Sequence, residues 1–328
     1  MNNMNNKSIL VTGGAGFIGS HIIEHLLKLN VKFIRILDNL STGKINNMHN
    51  IININPNGHN NTIEFMYGDI SNLEICRKAM KDINIICHQA ALGSVPRSVE
   101  EPLLSHISNV NGFLNILIAA KENNIKRVVY ASSSSVYGDD NTLPKIEECV
   151  GEVLSPYAAT KKIDEIYAGV FTKCYNMEII GLRYFNVFGP RQDPNGEYAA
   201  VIPKFIDLIK NDISPIINGD GSFSRDFTYV DNVVNANLLA MTTTNNEAFG
   251  NVFNIGAGGN ITILELFNCI KNELKSNIEP IFGTERKGDI NHSHANINKA
   301  KNILNYEPKI LFNEGIIKTI FYTGDYFK

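Results

Sequence analysis

Thr12-Gly13-Gly14-Ala15-Gly16-Phe17-Ile18-Gly19-Ser20 is the stretch from which the fold follows. Before it, Ser8-Ile9-Leu10-Val11 is a short apolar run of the kind that forms a buried strand. After it, Phe17, Ile18, Ile22, Ile23, Leu26 and Leu27 recur at helical spacing. Glycines between a strand and a helix suit a phosphate-binding turn. Gly13 permits the sharp turn, Gly16 lets backbone approach a diphosphate, and Gly19 lets helix and strand pack closely. The helix N-terminus then offers free N–H groups and partial positive charge to an anion.

A second strand, Phe33-Ile34-Arg35-Ile36-Leu37, ends at Asp38, about twenty residues past the glycines, where a carboxylate accepts from an adenosine ribose diol. Such a carboxylate repels a 2′-phosphate, so NAD is favoured over NADP. Further on, strands are expected at Thr62–Met66, Ile83–Cys87, Lys126–Ala131, Met177–Tyr184 and Val252–Ile255. Helices are expected between them, near Val99–Asn123 and Tyr157–Tyr175, and then over Phe227–Met241. Alternating strands and helices give an α/β, Rossmann-like, doubly wound parallel sheet covered on both faces. Residues 1–186, with about 226–256 returning to them, form its cofactor half. Residues 187–225 and 257–328 form a smaller C-terminal substrate-binding lobe.

The 328 residues suffice for a large core. A net charge of -3 leaves no basic stripe for nucleic acid. Five scattered cysteines without a C-x-x-C pair argue against a disulfide framework and a zinc site. His292 and His294 lack a third ligand at metal-binding spacing. No signal peptide and no apolar run of membrane-spanning length is read, which gives the expectation of a soluble cytoplasmic protein.

Chemistry concentrates at Tyr157-Ala158-Ala159-Thr160-Lys161. Tyrosine and lysine at i and i+4 share a helix face. Of twelve tyrosines, only Tyr157 has a lysine four residues later. A free phenol ionises near pH ~10, and a cation held beside it favours the phenolate. Ser133, at the carboxyl end of the fifth strand, can hydrogen-bond the same substrate hydroxyl. Ser134 and Ser135 alternate in direction with it, so the three are not expected to point at one atom.

The glycine loop, Asp38, the run Ser132 to Gly138, Tyr157-x-x-x-Lys161 and Leu182-Arg183-Tyr184-Phe185-Asn186-Val187-Phe188-Gly189-Pro190 together resemble the extended short-chain dehydrogenase/reductases. Within them the chain resembles nucleotide-sugar 4-epimerases, especially the bacterial branch acting on UDP-N-acetylhexosamines. The branch signals are Gly93-Ser94-Val95-Pro96-Arg97-Ser98, Arg191 to Gly196, Tyr198 to Pro203, and Asn218-Gly219-Asp220-Gly221 leading to Ser224-Arg225-Asp226-Phe227.

The resemblance implies tightly held NAD, a UDP-sugar substrate, a homodimer built on the two long helices, and no nucleic-acid or membrane partner. It implies Tyr157 as proton acceptor, Lys161 as its electrostatic support and Ser133 as the second hydroxyl partner. NAD would be held by Gly13, Gly16, Phe17, Ile18, Gly19, Asp38 and Asn39. Ser41, Thr42, Gly43, Asp69, Ile70, Gln89, Ala90 and Ala91 would continue that site, with Asn109, Tyr157, Lys161 and Tyr184 beyond them. Asn186, Arg225 and Arg286 match diphosphate contacts, Asp289 a uridine ribose contact, and Ala200 and Val201 contacts near the nucleotide. Gly93, Ser94, Ser134, Ser135, Gln192 and Asn195 lie toward the sugar.

Ser293 stands at the position that gates pocket size in the family. A tyrosine there restricts the substrate to plain hexoses, and a small residue admits a C2 N-acetyl group. With Gly93, it favours UDP-N-acetylglucosamine and UDP-N-acetylgalactosamine. UDP-N-acetylglucosaminuronate, with Arg97 on its carboxylate, and UDP-glucose are the alternatives. Ser134-Ser135, where a 4,6-dehydratase carries Asp-Glu, speaks against dehydration. A non-catalytic NAD-binding scaffold is the alternative of another class, opposed by the intact Ser133, Tyr157 and Lys161.

Overall fold

The computed structural model describes residues 4–52, 62–194, 199–285 and 291–322. In chain order the first half runs β1 (Ser8–Thr12), α1 (Phe17–Lys28), β2 (Phe33–Asp38), α2 (Ile45–Ile52), β3 (Thr62–Tyr67), α3 (Leu73–Ala79) and β4 (Ile85–His88). Helices α4 (Val95–Glu100), α5 (Pro102–His106) and α6 (Gly112–Glu122) lead to β5 (Arg127–Ser133), and α7 (Pro156–Tyr175) leads to β6 (Glu178–Tyr184). Then follow β7 (Val187–Phe188), α8 (Val201–Lys210), β8 (Ile216–Asn218), β9 (Ser224–Arg225), β10 (Thr228–Tyr229), α9 (Val230–Thr242) and β11 (Val252–Ile255). The chain ends with β12 (Ile261–Thr262), α10 (Ile263–Glu273), β13 (Ile281–Gly283), β14 (His292–Ser293), α11 (Asn298–Leu304) and α12 (Phe312–Ile320).

Seven parallel strands form one sheet in the order β11-β6-β5-β4-β1-β2-β3. The order reverses between β1 and β4, so the loops after these two strands part and leave a crevice at the sheet's carboxyl edge. Along β1, Ile9 and Val11 point into a core shared with α1 and α9, whereas Leu10 points into a core shared with α3 and α6. That division explains the near-continuous apolar strands: both sheet faces are covered. Val252–Ile255 does rejoin the sheet, pairing in parallel with β6. A third core, built on Phe188, Phe205, Phe227, Phe267 and Ile316, lies under α8, α10 and α12.

Three expectations change. The helix read over Val99–Asn123 begins at Val95, breaks at Glu101, and resumes at Pro102. Glu101 leaves the helical region, with φ -126° and ψ 64°, because a residue before proline is crowded out of it. The resumed helix contains a π turn, Ile107–Asn111. Second, Phe227 to Tyr229 are not helical: Thr228–Tyr229 pairs with Val187–Phe188 before α9 starts. Third, Pro102–Glu122 does have the length and composition of a membrane span, but half of its most apolar window is buried inside the molecule, as in a core helix.

Candidate active site

The crevice between the β1 and β4 loops is a cavity of about 290 Å³. Its floor is made by glycines. Gly13 sits at φ +66°, and a Cβ there would lie 2.7 Å from the Ala90 nitrogen. A Cβ on Gly19 would run into the Gly13 carbonyl. No side chain caps α1, whose N-cap is Gly16, so its first N–H groups are left open to an anionic ligand rather than taken by a serine or aspartate. Asp38 is buried, and accepts from Ala15 N at 2.9 Å and Leu40 N at 2.8 Å. Burial raises its pKa, and those two backbone bonds oppose the rise. Phe17, Ile18, Asn39, Ser41, Thr42 and Gly43 complete this end of the cavity, with Ile70 across from them.

Gln89, Ala90, Ala91 and Gly93 form the opposite lip, and Tyr184 closes the base. Tyr184 and Gln89 are fixed by Asn237 of α9: the tyrosine hydroxyl donates to Gln89 Oε1 at 3.0 Å and accepts from Asn237 Nδ2 at 2.8 Å. Two expected cofactor residues lie off the wall. Asp69 turns its carboxylate to Asn39 Nδ2 at 2.7 Å and Ser71 N at 2.7 Å. Asn109 is buried in the π turn, bonded to both backbone groups of Leu92 and to Thr160 Oγ1. The wider turn leaves its neighbour Ser108 on the cavity surface instead.

Tyr157 and Lys161 both line the cavity. Ser155 caps α7 and Pro156 sets its first turn, as their residue types require. Ser98 of α4 accepts from Tyr157 N at 3.0 Å, which fixes the start of the helix. Lys161 is almost wholly buried; its Nζ donates to Ala131 O at 3.0 Å and to Asp164 Oδ2 at 3.3 Å. Ser133 ends β5. The alternation expected beyond it stops because Ser134–Tyr137 wind into a 3₁₀ turn capped by Ser133. Ser135 therefore converges on Ser133: its N–H donates at 3.1 Å and its hydroxyl lies 2.9 Å from the same Oγ. Arg183 and Ser132 brace this strand end from behind through Glu165, at 2.8 and 2.6 Å.

A second cavity of about 570 Å³ brings together Asn186, Val201 and Arg225 with Lys204, Phe205 and Asn218. Ala200 is the exposed N-cap residue of α8 beside it. Arg225 donates to Ser224 O and Asn291 O. Ser293, 8% exposed, pairs with Arg225 between β14 and β9. Gln192 donates to Val187 O at 3.3 Å, while its Oε1 is buried without a partner among the described residues. Ser94 caps α4 by accepting from Arg97 N. His292 bonds Ser224 and His294 bonds Gly258 O, so both serve the local strands. Arg286, Asp289, Asn195 and Tyr198 lie outside the described residues.

Sequence reading passed over Ser108, Lys204, Asn237 and Asp164. Lys204 follows a proline in an apolar amphipathic run and carried no motif of its own. Asn237 and Asp164 sit on helix faces whose burial only the packing decides.

The family described as NAD dependent epimerase/dehydratase matches residues 9–256. The chain is 42% identical over 314 residues to a Methanocaldococcus jannaschii protein named putative UDP-glucose 4-epimerase, covering 95% of this chain and 97% of that one. It matches UDP-N-acetylglucosamine 4-epimerase from Methanobrevibacter ruminantium, solved in complex with UDP-N-acetylmuramic acid, with a TM-score of 0.89 at 42% identity, covering 97% and 98% of the two chains. UDP-glucuronic acid 4-epimerase from Bacillus cereus, solved with UDP-glucuronic acid and NAD, matches with a TM-score of 0.87 at 30% identity, covering 96% and 98%. These names agree on C4 of a UDP-sugar and divide on which sugar. The expected preference for an N-acetylated sugar over UDP-glucose is therefore not singled out by them.

Proposed function

The chain belongs to the NAD-dependent epimerase/dehydratase family, and from that membership we propose that it inverts C4 of UDP-hexoses with both plain and N-acetylated sugars as substrates. The activity class is an NAD-dependent nucleotide-sugar 4-epimerase. One observation carries the breadth of substrate: the buried Ser293 is small where the resemblance puts the pocket gate, so neither a C2 hydroxyl nor a C2 acetamido group is shut out. Gln192 Oε1, without a partner among the described residues, supplies an acceptor suited to an acetamido N–H. UDP-glucose is supported equally by the names of relatives.

The residues present fit NAD. The glycine floor and uncapped α1 suit its diphosphate, and the Asp38 carboxylate its adenosine ribose. When bound, it supplies hydride acceptance and return at C4. Tyr157 takes the proton from the 4-hydroxyl and gives it back on the opposite face of the turned sugar. Ser133, already accepting from Ser135, keeps its own proton for the same sugar oxygen. Lys161 holds positive charge beside the phenolate. Arg225 and Asn186 anchor the diphosphate, so the sugar turns while its nucleotide stays fixed.

The same reading includes a homodimer. Val99, Leu103, Ile166 and Val170 are at least 46% exposed, and they lie on the neighbouring helices α4, α5 and α7. An apolar face made by two long helices suits a second copy of itself.

The test is proton NMR of the purified protein with UDP-glucose and UDP-N-acetylglucosamine, each without added NAD. Conversion of both to their C4 epimers is expected. Conversion of only one narrows the substrate, and conversion of neither after NAD is added sinks the epimerase reading.

A further inference from the structure

We propose that Asp164 is a positioning residue for the epimerisation, sharing Lys161 with Tyr157 and setting how much of the lysine's charge reaches the phenol. The inference rests on the reading of Tyr157 as the proton acceptor. Its basis is a line of three side chains on one helix. Tyr157, Lys161 and Asp164 stand at i, i+4 and i+7 of α7, which is one face of an α-helix. The ammonium therefore has the phenol one turn before it and the carboxylate one turn after it. Asp164 Oδ2 lies 3.3 Å from Lys161 Nζ, and both side chains are almost completely buried. Asp164 Oδ1 is buried with no hydrogen-bond partner among the described residues.

That is an incomplete arrangement for a structural ion pair. A carboxylate buried for stability alone satisfies both oxygens, because a bare one costs free energy. Here one oxygen is left without a partner among the described residues, and the cation that holds the other is the one the proposed chemistry uses. Lys161 is held from the sheet by Ala131 O at 3.0 Å, so it cannot swing wholly to either anion. Two anionic positions thus compete for one fixed cation, and charge on one disfavours charge on the other.

Among the neighbouring charges, Glu165 also bears on Asp164 and raises its pKa. On α7 itself Glu165 is occupied by Arg183 of β6 and Ser132 of β5. From β4, His88 faces Lys161 and stays neutral, its pKa lowered to about 3 by burial and then by the lysine's charge. From β5, Tyr130 feels Asp164 but is itself buried and neutral. Two neutral groups meet α7 from this side: Ser98 of α4 accepts from Tyr157 N, and Asn109 of the π turn donates to Thr160 Oγ1. Burial raises the Asp164 carboxyl to about 7 against the opposing pull of Lys161, so it changes charge near neutral pH.

The test uses the full-length protein as purified, with Asp164→Asn and Asp164→Ser. Both remove the charge and keep an acceptor for Lys161, and thermal unfolding checks that each folds. Two readouts are taken. One is the near-ultraviolet phenolate absorbance owed to Tyr157, isolated by subtracting the matching Tyr157→Phe protein at each pH. The other is the acid limb of kcat against pH. Without the carboxylate, both are expected to move to lower pH by about one unit, with KM for the UDP-sugar changed less than about twofold. A kcat lowered evenly at every pH with an unmoved absorbance titration would mean Asp164 is only structural, and would overturn the proposal. The absorbance arm also separates this inference from the one beneath it. A shifted titration in a protein that turns over no UDP-hexose upholds the coupling of Asp164 and removes the epimerase reading. Turnover with no shift does the reverse.

Discussion

In the proposed reaction the chemistry narrows at Tyr157 to one oxygen atom. Replacing it with phenylalanine keeps the ring and removes the proton acceptor. Tyr157→Phe is therefore expected to cost about 10²- to 10⁴-fold in kcat with little change in KM, measured with each UDP-hexose. Ser293 argues the opposite kind of effect. A tyrosine there would fill space against Arg225 on the paired strand rather than touch the reacting carbon. Ser293→Tyr is expected to lose turnover of UDP-N-acetylglucosamine by more than about tenfold and to keep most of that of UDP-glucose. Equal losses for both sugars would show that Ser293 is not a gate. Both residues were legible in the chain, Tyr157 from its spacing to Lys161 and Ser293 from a resemblance. Asp164 was not. Lys162, Asp164 and Glu165 follow one another as ordinary helix-surface residues do, and nothing in their order says that Asp164 faces the sheet beneath. Asn109 came from the resemblance, and its side chain points into the packing from a π turn while its neighbour Ser108 lines the cavity.

Helices α4, α5 and α7 do two jobs on opposite faces. Toward the sheet, Ser98 and Asn109 hold the start of α7, which aims Tyr157. Away from it, Leu103 is 71% exposed and Ile166 56%. Periodicity predicted both helices but could not divide apolar positions between an inner and an outer face, because both are apolar. The exposure settles which residues are left over from the core. A charge in the middle of an interface made by two copies is met twice by symmetry. Leu103→Asp is thus expected to shift the protein from dimer to monomer in sedimentation velocity, and Ile166→Asp to do the same. A dimer that persists in both would place the contact elsewhere. Because α7 carries the proposed catalytic residues, kcat is expected to fall with dimer content, as the helix loses its outer support.

Across the whole molecule, buried ionisable groups set how the fold responds to acid, and here they oppose one another. His21 bonds Pro190 O and has its pKa lowered from 6.5 to about 4, first by burial and then by Arg191. His88 bonds Thr12 Oγ1 and is lowered from 6.5 to about 3, again first by burial. A histidine depressed in the folded chain takes its proton earlier when unfolded. The stability it contributes is complete above pH 6.5 and is lost as pH falls toward its folded value. Asp164 runs the other way. Its folded carboxyl is raised from 3.8 to about 7, so the folded chain holds the extra proton between those values and gains stability as pH falls. Between about pH 4 and 6.5 the two histidines add two protons to the unfolded chain, and Asp164 adds one to the folded chain. The net from these three groups is one proton, a loss of about 1.4 kcal/mol for each pH unit of acidification. Asp164→Asn removes the opposing member. The variant also leaves Lys161 buried without its charged partner, so the test reads the slope rather than the sign of the difference. In urea unfolding, the stability of Asp164→Asn relative to the unaltered chain is expected to fall by about 1.4 kcal/mol per pH unit on acidification below neutrality. A difference between the two proteins that stays constant from neutral pH to the acid end would mean that Asp164 does not titrate there, and that its carboxyl keeps one charge state throughout.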